Sequence, residues 1–202
     1  LSVESAFDDQ CGFLAVRTCL SLLGDALTLD EIHSIHRRLG HATYSFGIAT
    51  PHLALIAARQ RHVVTIRSSS QWLALIHATA GEAVMTDSSE DALSVRRALQ
   101  QFRDRHGTFV PDDGSERSGQ MYAALEDGAV CIACVSAEDF YGIPERWNHY
   151  VVVTRVGEEI VVHDPWSSAG ERSYAQWTKH AEQSRRFAWN EWRGDLIEVR
   201  RA

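Results

Sequence analysis

The chain has 202 residues, 45% of them hydrophobic and 23% charged, enough for one large domain or two small ones with a substantial core that needs no metal or disulfide support. A formal net charge of -7, with no run of like charges, argues against a nucleic-acid surface. No segment approaches about 18 uninterrupted apolar residues, so no membrane span is expected, and four cysteines set in apolar segments do not make a secreted disulfide scaffold. The start Leu1-Ser2-Val3-Glu4 carries neither a signal-peptide pattern nor an initiator Met, as expected of a processed product or of a domain cut from a longer chain. A cytoplasmic location is the expectation.

Taken in order, the chain first offers Asp9-Gln10-Cys11-Gly12 and then an apolar stripe, Phe13, Val16, Leu20 and Leu23, at helical spacing, with Gly24 at the expected stop. Thr28 and Glu31 form a capping-box pattern that predicts a helix to about Leu39. Residues 42–49 read as a loop, and Pro51 opens a third helix to about Gln60, with Leu53 and Ile56 on its apolar side. His62 to Arg67 is short and β-branched, hence a strand. Ser70 and Ser89 are positioned to cap helices over 71–80 and 90–106, Pro111 to Ser115 is a turn cluster, and Gly119 to Leu125 is a short helix. The last third turns to strands: Ala129 to Val135, then a hairpin of His149–Val156 and Ile160–Asp164 around Gly157-Glu158-Glu159, stopped by Pro165. A helix over Tyr174–Gln183 and a closing strand over Asp195–Arg200 complete the pattern. Helices first and strands later predict an α+β fold, N-terminal helices packed on a C-terminal antiparallel sheet, in a single domain over 1–202 with a helical insertion at about 70–128.

The chemistry starts at Cys11. At the head of a helix, unpaired backbone N–H groups and the positive end of the helix dipole favour a thiolate. Small Gly12 beside it would let a substrate backbone approach closely. The hairpin supplies the rest, because counting outward from its turn brings His149 and Asp164 to the same open end, within reach of each other or on adjacent rungs. A carboxylate beside an imidazole fixes its tautomer and raises its basicity, and that imidazole can deprotonate a thiol brought in by the first helix.

Cys11-Gly12 opening an apolar helix that ends Leu-Leu-Gly, His149-Tyr150-Val151-Val152-Val153 and Val161-Val162-His163-Asp164-Pro165 together resemble the bacteriocin-processing leader-peptidase family and its papain-like relatives. The likeness covers about the first sixty residues and residues 129 to about 200. It implies a papain-like cysteine peptidase fold, with Cys11 as nucleophile, His149 as base and Asp164 as orienter, no cofactor, no metal, and a peptide or protein substrate such as a leader peptide. An acyl or amide transferase on the same triad, or a catalytically silent peptide-binding domain, are the alternatives. Such enzymes place a Gln six residues before the Cys, where its amide completes an oxyanion hole. Here that position is Ser5, and Gln10 directly precedes Cys11, so Ser5 and Gln10 are the oxyanion candidates.

Other conspicuous residues have plainer readings. Cys131 and Cys134 have the two-residue gap of redox and zinc sites, but in a strand they face opposite ways and are expected in the core, as is Cys19. His33, His36 and His41 lack a further ligand in register and are expected on the surface. His163 should point away from Asp164, as a structural or pocket-lining residue. Trp147 and Trp166 are candidates to wall a substrate cleft.

Overall fold

A computed structural model describes residues 10–39, 48–59, 61–68, 90–111, 117–136, 148–165, 171–173 and 195–202. The predicted helices over 71–80 and 174–183 lie outside the described residues, as do Ser5, His41, Trp147 and Trp166. The architecture is α+β. Among the described residues, five helices, α1 (Cys11–Leu22), α2 (Leu29–Arg38), α3 (Thr50–Ala57), α4 (Glu90–Asp104) and α5 (Arg117–Glu126), accompany seven strands. The strands are β1 (His62–Ser68), β2 (Thr108–Pro111), β3 (Val130–Ser136), β4 (Asn148–Val156), β5 (Glu159–His163), β6 (Glu171–Ser173) and β7 (Leu196–Arg201).

The strands form one sheet in the order β2-β1-β7-β3-β4-β5-β6. It is mixed, not wholly antiparallel as the sequence suggested. β1 and β2 run parallel, Thr65 opposite Thr108, while the other pairs are antiparallel. β2 was missed because it is four residues long and ends in Pro111, which reads as a turn. An edge position tolerates that proline, since the sheet does not need its missing N–H. The middle of the chain is thus built into the sheet: α4 packs on α3, β2 extends the edge, and α5 covers the opposite face.

Alternation along the strands sorts the core into two clusters. Val130, Ile132 and Cys134 of β3, Tyr150 and Val152 of β4, and Ile197 and Val199 of β7 pack with α1, α3 and α4. Cys131, Ala133, Val135, Val151, Val153 and Val162 pack with Met121, Ala124 and Leu125 of α5. Cys131 and Cys134 therefore lie in different clusters, and Cys19 is fully buried, all three as free thiols. On the α5 side Glu198 is buried and paired with Arg67 and, at 3.3 Å, with Arg200, which keeps its charge compensated.

α1 is the central helix, packed on β3 and β4 from one side and on α2 and α3 from the other. It ends in a Schellman motif: Gly24, at φ 78°, donates to the Ser21 carbonyl and Asp25 to the Leu20 carbonyl. Arg201 of β7 closes this end by donating to the Leu23 carbonyl at 2.6 Å. α2 begins with the predicted capping box, Thr28 N–H to Glu31 at 2.8 Å and Glu31 N–H to Thr28 at 3.2 Å. α3 is shorter than expected, ending at Ala57, and buried on all sides rather than along one stripe, because α1, α4 and the sheet all contact it. α4 stops at Asp104 because His106 takes a left-handed φ of 61° and turns the chain into β2. Among the described residues, no helix is long and apolar enough to cross a membrane.

At the head of α1, a Cβ on Gly12 would overlap Ile48 and come within 3.2 Å of Leu53. The missing side chain is what lets α3 approach. Gly12→Ala is expected to lower the unfolding free energy by about 1–3 kcal/mol, as overpacked cores do, read as a lower denaturant midpoint at unchanged slope.

Candidate functional site

Cys11 is the first residue of α1. Gln10 precedes it at the N-cap position with φ -110° and ψ -9°, and its carbonyl accepts the Leu14 N–H at 2.9 Å. Its side chain makes no capping hydrogen bond, and no acidic residue stands in the first turn. The opening N–H groups of α1 are thus left without a side-chain cap beside the thiol, as an oxyanion would require.

The hairpin brings in the partners. Its ladder runs Val156 opposite Glu159 through Val152 opposite His163, with Gly157 at φ 64° in the turn. One further rung would set Asp164 against Val151, so His149 stands two positions along, a diagonal neighbour within side-chain reach. The two side chains meet there: His149 Nε2 lies 2.9 Å from Asp164 Oδ1, and both residues are 4% exposed. A carboxylate can only accept, so Nε2 carries the hydrogen, and Nδ1 is the ring atom left for another partner. Cys11 lies close enough to this imidazole to act on its charge. The structure therefore brings Cys11, His149 and Asp164 to one place from three separate elements.

The electrostatics favour a proton on this ring. Burial alone would pull the His149 pKa down, but the hydrogen bonds to Asp164 and Cys11, with their charges, push it up to about 9. Elsewhere burial dominates. It drives the thiols of Cys19, Cys131 and Cys134 far above the ordinary range, where they are inert.

The remaining site candidates take other places. Gly12 is buried, and the space its side chain would fill belongs to Ile48 and Leu53. That use is helix packing, distinct from the close approach of a substrate. His163 bonds Thr154 at 3.0 Å and lines a cavity of about 320 Å³ with Leu22 and Val161, at the other end of α1 from Cys11. His36, expected on the surface, is 2% exposed: its ring sits 5.2 Å from that of Phe13 and 5.9 Å from that of His52. The correction arises because α2 turns this residue, together with Ile32, inward against α1 and α3. His33 also packs on Phe13, at 4.6 Å. Among the described residues, no group of three or more His, Cys, Asp or Glu could hold a metal ion.

Two residues near the site had no role in the sequence reading. Tyr150, next to His149, places its hydroxyl 3.0 Å from that of Thr50, the first residue of α3. The available signal was a phenol beside the apolar run Val151-Val152-Val153, which when buried must find a partner.

Searches for similarity to protein-family models, to curated proteins and to solved structures find no match for this chain.

Folded His149 keeps its proton to about pH 9, whereas an unfolded histidine releases it near 6.5. Its contribution to stability is therefore whole below pH 6.5 and lost as pH rises through 9. Urea midpoints of the wild type should fall across that window, and His149→Gln should flatten the fall; equal slopes would contradict the assignment.

Proposed function

We propose that the chain is a cysteine peptidase of papain-like fold that cleaves a peptide bond through a Cys11 thioester, with a leader peptide as the expected substrate class. The observation that carries the reading is the buried His149–Asp164 hydrogen bond at 2.9 Å, with Cys11 close enough to act on the same imidazole. In support of the fold, a helix with the nucleophile at its head lies on antiparallel strands that hold the base and its orienter. The parallel strand β2 and the covering helix α5 are elaborations of that plan.

The chemistry follows from the hydrogen-bond roles. Asp164 holds Nε2–H, the thiol proton resides on Nδ1 of the His149 imidazolium, and the Cys11 thiolate paired with it adds to the scissile carbonyl carbon. The developing oxyanion is met by the Cys11 backbone N–H at the head of α1, with the Gln10 amide or Ser5 as the second donor. His149 returns the proton to the departing amine as the C–N bond breaks. Water then adds to the thioester, giving its proton to His149, and the acid leaves as the C–S bond breaks and the thiolate–imidazolium pair re-forms. The four free cysteines suit a reducing compartment, in keeping with a cytoplasmic location.

Cleavage of a peptide library, followed by mass spectrometry, tests this reading. Cys11→Ala and His149→Ala should each remove cleavage by about 10³-fold or more, with Asp164→Asn also strongly impaired. An amide in place of the acid product would make the enzyme a transferase on the same triad. Unchanged cleavage in Cys11→Ala would sink the nucleophile assignment.

A further inference from the structure

The couple between Cys11 and His149 joins two elements, α1 and β4, that most of the chain separates in sequence. α1 belongs to the helical layer and β4 to the sheet. Apolar packing holds them together but is non-directional, so it sets an average separation rather than a fixed one. A buried hydrogen bond between the layers would supply direction.

One such bond lies beside the site. Tyr150 directly follows His149 in β4, and its side chain enters the cluster formed with α1 and α3. Its hydroxyl is 3.0 Å from Thr50 Oγ1, with Tyr150 7% and Thr50 3% exposed. Thr50 opens α3, a helix that starts without a side-chain cap. Flanking Thr50 on either side, Ile48 and Leu53 occupy the space left by the missing side chain of Gly12, the residue after Cys11. One end of this link is thus the neighbour of the base, and the other is a segment clamped on the neighbour of the nucleophile. The backbone under Tyr150 is held too: Cys134, opposite it in the β3–β4 ladder, donates its N–H to the Asp195 carbonyl at 2.9 Å.

We propose that the Tyr150–Thr50 hydroxyl pair is a positioning element that sets the separation of the Cys11 thiol from His149. This rests on the cysteine-nucleophile reading above. Neither hydroxyl touches the reacting atoms. They act by holding α3, and through Ile48 and Leu53 the head of α1, in register with β4. The directional bond matters because an unmade buried hydroxyl is costly, so the two elements cannot slide apart without losing it.

The test is alkylation of Cys11 by iodoacetamide in the full chain, followed at the Cys11 peptide by mass spectrometry near pH 6 and near pH 10. Tyr150→Phe and Thr50→Val should each slow the reaction near pH 6 by about tenfold, because a slightly misplaced imidazolium no longer stabilises a thiolate at Cys11. Near pH 10, where thiols in general react without the help of a neighbouring group, the rates should match the wild type. Thr50→Ser, which keeps a hydroxyl, should restore the low-pH rate, and the double variant Tyr150→Phe/Thr50→Val should be no slower than either single one. A merely structural role would lower the melting temperature of both variants and leave the ratio of rates at the two pH values as in the wild type, and that result overturns the proposal. His149→Ala separates the two claims. If it slows alkylation near pH 6 while Tyr150→Phe and Thr50→Val do not, the nucleophile reading stands and the positioning role falls; if it too has no effect, both fall.

Discussion

The hydrogen bond between His149 and Asp164 is the interaction on which the site depends, and it exists against the preference of both groups for water. Burial disfavours a charged imidazole, and burying a carboxylate is costlier still. The pair is stable because each supplies the other's missing partner, and because Cys11 adds a third contact that helps push the His149 pKa up to about 9. Such an arrangement demands an exact ladder. A slip of one residue between β4 and β5 would turn Asp164 to the opposite face and leave a buried histidine facing a strand of valines. The Gly157 turn, the valine-rich core of both strands and the α5 layer behind them all serve to hold that register.

Bringing the thiol to this pair is a problem of close packing. α1 is buried between the sheet and two other helices, so it must be narrow where they meet. Gly12, Ala15 and Cys19 are the small residues that permit it. Its far end is fixed by the Schellman turn at Gly24 and by Arg201 on the Leu23 carbonyl, so the helix is anchored at the end away from the site as well. The same interior holds His36 and His52, and burial pulls the His36 pKa down. A neutral His36 against Phe13 and a protonated His149 against Asp164 therefore coexist in one fold, their environments pushing two identical side chains apart.

Much of this was readable from local patterns. The capping box at Thr28 and Glu31, the helix stop at Gly24 and the hairpin around Gly157 are short-range signals whose physics lies within a few residues, and each appears where expected. The opposed faces of Cys131 and Cys134 follow from the two-residue period of a strand. The readings that failed were those needing neighbours distant in sequence. β2 is a strand because β1 offers it a parallel partner, and four residues ending in proline carry no such message alone. His36 is buried because of how α2 lies on α1 and α3, which the helix pattern did not reveal.

By itself, then, the sequence determined the existence of α1 to α5 and of the longer strands, without β2 or β6, and that a cysteine heads one helix while a histidine and an aspartate share the open end of one hairpin. Those are matters of backbone propensity and of counting along a ladder. Only the tertiary structure decided that the three side chains meet, that Gly12 is small for the sake of α3, and that Tyr150 and Thr50 bond across one hundred positions of chain. The reason is physical: packing and buried hydrogen bonds are set by whichever elements are neighbours in space, and no local period in the sequence encodes that choice.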